Sequence, residues 1–361
     1  MPETPVSNLA VYRARPTLRV NQQADIRASE LVVGMEMTEQ EGGLSALELR
    51  FTNVASTQNG EAELAFESPN SSLTLGATLS VYAGEEDAPQ EIFSGLITGI
   101  EAIFSAEEAP ELVVLAEDRL QQARMARRTE VHTETNLAQL ARNLAGRLGL
   151  TPVITGFDGS IGTWVQLNES DLAFLRRLLT WYDGDLQIVG EELHLSPRAE
   201  VQRGRINLEL RSQLRRVRVL ADLAHQVTKV TVSGWDAQQG QRVVGSSSGS
   251  HLLPGTGKLG GQVLQNALGK RPHHISHVGV TTMAEAQAVA DAAYDQRARR
   301  FVCLEGTAEG NPALRVGSEV NITGLGDRFD NTYYVVQACH RYDLQRGYET
   351  DFRAECAYWR G

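Results

Sequence analysis

Apolar and polar residues alternate with a period of two through much of the first third of the chain. Leu47-Glu48-Leu49-Arg50-Phe51 and Ala62-Glu63-Leu64-Ala65-Phe66 each keep one apolar face, the mark of a half-buried strand. Leu31-Val32-Val33, Leu73 to Val81 and Phe93 to Ile100 add strand-like segments. They are punctuated by Gly42-Gly43 and by an acidic turn, Gly84-Glu85-Glu86-Asp87. Many short strands with Gly-marked turns predict a barrel or sandwich over residues 13–120.

After residue 135 the period becomes helical. Leu137, Leu140, Leu144 and Leu148 form one stripe with Ala138, Ala141 and Ala145 beside it, and Gly149 is the expected stop. Trp164 to Asn168 alternates as a short strand. Leu172, Leu175, Leu179 and Tyr182 then recur at helical spacing, widened by Phe174, Leu178 and Trp181. Asn168 stands where a cap belongs, with Asp171 three residues on, and Gly184 where the helix should end. Leu186 to Val189 and Leu193 to Leu195 read as a hairpin turning at Gly190-Glu191. Strand patterning returns at Val217 to Leu220 and Val227 to Val232, ending in Gly234-Trp235-Asp236. Residues 245–261 are rich in Gly and Ser; that composition predicts a loop that is mobile or ordered by a partner. Thr282 and Glu285 make a capping box ahead of an Ala-rich helix. A last β block runs from Phe301 through Gly310, Pro312, Leu314, Gly317 and Val320. It continues through Tyr333-x-Val335 to His340 and closes with Gly347-Tyr348-x-Thr350-x-Phe352. Asn331 stands before Tyr333, where many members of the family that this block resembles carry Gly; Asn tolerates positive φ almost as well, so a turn is expected there.

The chain also echoes itself. Leu73 to Val81 and Leu314 to Ile322 share L-x-[LV]-G-x-x-[LV]-x-[VI], with Gly76 and Gly317 in register. Each is followed by a polar turn, a Phe (Phe93, Phe329) and another strand, so a duplicated β unit is expected.

A length of 361 residues allows two or three domains, and 42% hydrophobic residues supply a core. The net charge of −11 argues against general nucleic-acid recognition. No apolar run is long enough to span a bilayer, and MPETPVSNLA lacks signal-peptide features. Cytoplasmic folding without membrane insertion is the expectation. Cys303, Cys339 and Cys356 are too few and scattered for a disulfide framework or a zinc site. Arg119, Arg124, Arg127 and Arg128 form a basic cluster, read as a solvated linker helix or as a contact for an acidic partner.

Candidate chemistry changes the picture little. His273, His274 and His277 form H-H-x-x-H without a Glu, and Pro272, Ile275 and Val278 argue against a helix. Gly255-Thr256-Gly257-Lys258 lacks full phosphate-loop spacing, and Ser246–Ser248 lack a strand–turn–helix context. Asn70, Asn168 and Asn321 match the glycosylation pattern by composition only. Trp235 is expected to pack and His340 to be a satisfied structural histidine. No catalytic, cofactor-binding or metal-binding residue is predicted, and no cofactor.

Asn168-Glu169-Ser170-Asp171, followed by Phe174-Leu175, Arg177-Leu178 and a hairpin, resembles a signature of hub proteins of contractile injection machines. That superfamily includes phage late control protein D and the hub part of valine–glycine-repeat spike proteins of type VI secretion. The run IFSGLITGI, the helix LAQLARNLAGRLGL, the Gly-Trp-Asp corner and the C-terminal β block extend the resemblance from about residue 13 to the end. The structural motif residues it marks are Gly76, Asn168, Glu169, Ser170, Asp171, Phe174, Gly317, Tyr333, His340, Gly347, Tyr348 and Thr350.

The implied fold is α+β, mainly β: two similar β-barrel domains with a small α+β domain between them. The expected division is 1–125 for the first barrel, 126–200 for the α+β domain with two helices and a hairpin, and 201–361 for the second barrel. The implied function is a structural baseplate hub, a homotrimeric adapter between a hexameric tail tube and a trimeric central spike carried on a separate chain. A tape-measure protein or cargo in the lumen is a further implied partner, and a phage virion or related injection particle the implied destination. The alternatives are a tail-tip cell-wall hydrolase and the hub portion of a type VI spike protein. A carbohydrate-binding β protein is a third reading, weakened by only 6% aromatic residues.

Overall fold

Alternation produces strands wherever one face can be buried, and here most of those strands share one sheet. The structure is a computed structural model that describes residues 15–56, 62–68, 71–84 and 88–361. The acidic turn at Glu85–Asp87, Asn70 and the opening ten residues lie outside the described residues.

The first β region contributes β1 (Thr17–Val20), β2 (Val32–Gln40), β3 (Ala46–Thr52), β4 (Thr78–Gly84), β5 (Pro89–Ile103) and β6 (Glu111–Glu117). Ala62–Leu64 falls outside this set. It pairs only with Val54–Ser56 in a small exposed ribbon, so its clean alternation does not mark a core strand. Leu73 to Ala77 is turn rather than strand, and only Thr78 onward is extended.

The α+β unit follows. β7 (Arg127–His132) pairs with β8 (Trp164–Ser170), and the helices are α1 (Leu137–Leu148) and α2 (Asp171–Tyr182). β9 (Gly184–Val189) and β10 (Glu192–Pro197) form the expected hairpin around Gly190, φ +59°. Both helix faces pack into one core with Leu186, Leu193 and Leu195. The basic segment is not a linker helix. After two short helical turns it becomes β7, because its residues pair across to β8.

The second β region contains β11 (Arg205–Glu209), β12 (Leu214–Ala221), β16 (Val302–Glu309), β17 (Glu319–Thr323), β18 (Asn331–Asp343) and β19 (Gly347–Cys356). Between β12 and β16 it is interrupted by a separate layer: β13 (Lys229–Asp236), β14 (Gln241–Ser247), β15 (Pro272–Ile275) and α3 (Met283–Arg299). The Val227–Val232 pattern therefore belongs to a three-stranded sheet covered by α3, with its own core of Val230, Val232, Val289 and Ala290.

The main sheet runs β12-β16-β19-β18-β2-β3-β6-β5-β4-β1. β17 continues from β18, and β11 pairs with β17 in parallel, whereas β1 pairs with β4 antiparallel. The two regions are thus joined strand to strand through β18 and β2.

Candidate assembly interface

The glycines that mark the internal echo occupy one local geometry. Gly76 has φ +83° and Gly317 φ +86°, a conformation that favours Gly. The Gly76 amide donates to Ile97 O and the Ile97 amide to Ala77 O. In the second region the Gly317 amide donates to Val335 O and the Val335 amide to Ser318 O. Both turns also close with a bond three residues back, Ala77 N to Thr74 O and Ser318 N to Arg315 O.

The equivalence extends through five strands and includes two of their irregularities, whereas the shift of β4 against β5 between Val81 and Tyr82 has no counterpart between β17 and β18. β5 shifts register against β6 between Ile97 and Gly99, and β18 against β19 between Val335 and Gln337. β2 shifts against β3 between Val32 and Gly34, and β12 against β16 between Leu214 and Arg216. Bulges are positional features, so β2, β3, β4, β5 and β6 correspond to β12, β16, β17, β18 and β19. One detail of the echo fails. Phe93 pairs with Val81 inside β5, while Phe329 lies in the turn before β18, so the two Phe residues are not equivalent.

The joint between the repeats pairs Gln337 to Asp343 with Gln40 to Gly34, seven residues in antiparallel register. Beneath it sits a buried polar cluster. Period-two alternation in β2 turns Met35, Met37 and Glu39 to the same side, and all three are buried. The Glu39 carboxylate accepts from Arg315 Nε (2.9 Å) and Nη2 (2.7 Å), from the Val316 amide (2.6 Å) and from Gln187 Nε2 (3.0 Å). One carboxylate therefore ties the first β region, the second and the α+β unit together. Burial pushes its pKa up, but the Arg315 guanidinium more than reverses this, and the net position is below the usual value.

His340 sits alongside, fully buried. Its Nδ1 lies 2.7 Å from Tyr348 Oη and 3.4 Å from Thr350 Oγ1. Burial and the nearby Arg315 charge depress its pKa to about 3, so it is neutral at physiological pH. The sequence-marked residues His340, Tyr348 and Thr350 are thus brought together, with Gly347 (φ +76°) opening their hairpin. Tyr333 is buried elsewhere, donating its hydroxyl to Phe329 O at 2.7 Å.

The Asn168 group lies apart from the joint, and its caps are displaced from expectation. Ser170, not Asn168, caps α2 by accepting from the Ala173 amide. Asn168 is a positive-φ residue in β8 (φ +47°), its amide donating to Thr129 Oγ1. Asp183, not Gly184, takes the left-handed position after α2. Glu169 binds Arg177, Asp171 faces Arg128 and Arg147, and Phe174 stacks on His132. The motif holds its own subunit of structure together.

Asp183 also anchors α3. Its carboxylate receives Arg299 Nη1 (2.5 Å) and Nη2 (2.9 Å) and Arg198 Nε (3.2 Å). Sequence reasoning missed Glu39, Arg315, Gln187, Asp183, Arg198 and Arg299. The signal available for Glu39 was its inward phase in the Met35, Met37 alternation.

Other sequence readings find definite places. The basic cluster is committed within the chain: Arg124 binds Glu117, Arg128 binds Asp171, and Arg127 donates to Asn168 O. His273 and His274 lie on β15; His273 faces Arg297 and His274 faces Ser233. Burial and Arg297 lower the His273 pKa. Trp235 is 58% exposed, contrary to the expected packing role. The 245–261 segment is pinned within the chain: Ser250 and His251 amides bind Asp295, and the Thr256 amide binds Asn331 Oδ1. Asn331 is extended and starts β18, so its side-chain amide, not a positive φ, explains its presence. A groove of about 640 Å³ holds Glu41, Glu305, Glu355 and Asp222. The first three face Arg198, Arg218 and Arg300, and Asp222 accepts from the Ala224 amide.

A sequence profile described as Alg8 N-terminal domain matches residues 54–343. The chain belongs to this family. No curated protein matches the chain in sequence. Among solved structures, the prophage MuSo2 tail protein from Shewanella oneidensis superimposes with a TM-score of 0.67 at 13% identity, covering 94% of this chain and 97% of that one. A tail protein from Neisseria meningitidis gives 0.67 at 11% identity, with coverage of 94% and 96%. An Escherichia coli type VI secretion component, described as similar to the T4 tail proteins gp27 and gp5, gives 0.58 at 14% identity, with coverage of 95% and 78%. This member of the Alg8 N-terminal domain family therefore has the fold of phage tail proteins, as the hub-like sequence signature implied.

Proposed function

We propose that the chain is a structural hub of a contractile tail or injection particle, a homotrimer joining a hexameric tail tube to a trimeric spike. The observation that carries this reading is the equivalence of five strands in each β region, which share two register shifts. A closed ring of six identical tube subunits can meet three identical chains only if each chain offers two matching surfaces. The role is mechanical: the hub nucleates the tube, and its paired carboxylates serve cohesion rather than proton transfer. It assembles in the cytoplasm and leaves in the particle, with tape-measure protein or cargo as candidate occupants of its lumen. The motif residues around Asn168 and Phe174 keep the α+β unit rigid beside the ring.

Size-exclusion chromatography with light scattering is expected to give three times the 39.5 kDa chain mass. A monomer at every concentration, even with tube protein present, would sink the adapter reading. A zymogram on peptidoglycan is expected to stay blank; a cleared band would favour a tail-tip hydrolase.

A further inference from the structure

We propose that a groove between the α+β sheet and the second β region binds an extended peptide of another protein through one aliphatic residue. That residue donates its N–H to Gln187 Oε1, accepts at its own C=O from Arg315 Nη1, and lays its side chain against Val153, Val189 and Val201.

Strand register builds the floor of the groove. Thr151–Ile154 pairs in parallel with β10, and β10 pairs antiparallel with β9. Val153, His194 and Gln187 therefore stand in one row across the sheet, and Val189 lies two residues along on the same face. The opposite face, with Leu186, Leu193 and Leu195, is buried in the helical core. Residues 200–203 and 313–315 form the facing wall. The space between holds about 470 Å³, a volume typical of ligand sites.

The open end of the floor is apolar, with Val153 and Val189 exposed by 36% and 44%. The closed end is polar and incompletely used. Gln187 is 4% exposed; its Nε2 donates to Glu39 Oε2, and its Oε1 has no partner among the described residues. A buried acceptor without a donor is costly, and a ligand N–H removes that cost. Arg315 donates Nε and Nη2 to the same Glu39 oxygen, which leaves Nη1 uncommitted among the described residues. Its side chain also lines the groove. Sharing one carboxylate oxygen holds the spare acceptor of Gln187 and the spare donor of Arg315 side by side.

These groups select the ligand. Arg315 is matched by Glu39 and Arg203 by Asp185, so a charged ligand finds no unmatched countercharge at the closed end. A neutral ligand carrying one donor and one acceptor finds both partners. In a single trans amide the N–H and C=O point opposite ways. In an extended residue its own N–H and C=O point the same way, as in a hydrogen-bonded strand pair. The side-by-side acceptor and donor therefore fit an extended peptide and not an isolated amide. Thr151–Ile154, which carries Val153, is paired only with β10 among the described residues. Its outer side leaves the peptide room to continue.

Methyl NMR on the full-length protein, labelled at valine and leucine, tests the site with a blocked tripeptide, acetyl-alanyl-leucyl-alanine amide. The methyls of Val153, Val189 and Val201 are expected to shift saturably, while Val230 and Val232 under α3 stay in place. The same compound with leucic acid in place of leucine is an ester that lacks the one N–H meant for Gln187. It should bind about tenfold more weakly. Ala313→Trp fills the groove from an exposed position and should abolish the shifts without changing the melting temperature. Methyls that move with neither compound, or an ester that binds as tightly as the peptide, overturn the proposal. Peptide binding that survives Ala313→Trp in a folded variant places the contact elsewhere and overturns it too. The oligomeric state enters none of these readouts, so the hub reading stands or falls separately.

Discussion

At the scale of the residue, the decisive group is Glu39. A carboxylate at an inward position of a core strand is costly unless every lone pair is used, and four donors from two other regions use them. Glu39→Ala would leave the half-buried Arg315 guanidinium charged and without its partner. We expect a loss of about 3–5 kcal/mol in denaturant unfolding, larger than for an exposed pair such as Arg50–Glu48. His340 sets a pH dependence. Its folded pKa of about 3 lies below the ordinary 6.5, so the unfolded chain takes up a proton that the native one refuses. Stability falls as pH drops from about 6.5 towards 3, by about 1.4 kcal/mol per pH unit for this one group. Glu39 acts in the same direction: its stabilisation is present above its unfolded pKa and lost as pH falls through its lowered native value. Asp118 opposes both. Burial raises its pKa to about 6, so protonation below that value favours the fold. His340→Gln should flatten the slope between pH 6.5 and 4.5 by about one proton. An unchanged slope would show that other groups control it.

At the scale of the element, most of the architecture was legible and the ends of elements were not. The helical stripes of α1 and α2, the Gly149 stop and the hairpin at Gly190 stood in the sequence because burial of one face imposes the period. The α2 cap moved from Asn168 to Ser170 because β8 continues through those residues in pairing with β7. Such long-range pairing leaves no local trace, and it also turned the expected linker helix into a strand. The hydrogen bonds of the Gly/Ser segment were hidden for a related reason: they run to Asp295 and Asn331, distant in sequence. The duplicated glycines permit a sharper comparison. A Cβ at Gly76 would meet no atom within 4 Å, so Gly76→Ala costs only the left-handed backbone, about 1–2 kcal/mol. A Cβ at Gly317 would lie 2.7 Å from Val201 Cγ1 and 2.5 Å from Arg203 Nη1. Gly317→Ala should therefore be the more destabilising of the two in thermal melts. Equal losses would mean that the second site relaxes freely.

At the scale of the whole molecule, the joint changes what a domain means here. The sequence echo revealed two similar β units, and the resemblance implied two barrels. Neither indicated that β18 would serve both units at once, pairing with β17 and then β2 along one edge and with β19 along the other. The interruption by β13 to α3 was equally hidden, since its strands alternate like those of the main sheet. A shared strand predicts shared stability. If the first region opened alone, β2 would leave β18, and Glu39 would leave Arg315 and Gln187, stripping the half-buried guanidinium of its partner. Native-state hydrogen exchange should then report one opening free energy for β3 and β6 of the first region and β16 and β19 of the second. Glu39→Ala should lower all four together, although the residue belongs to the first region. Faster exchange confined to β3 and β6 in that variant would mean that the two regions fold as separate units and that the joint is only a contact.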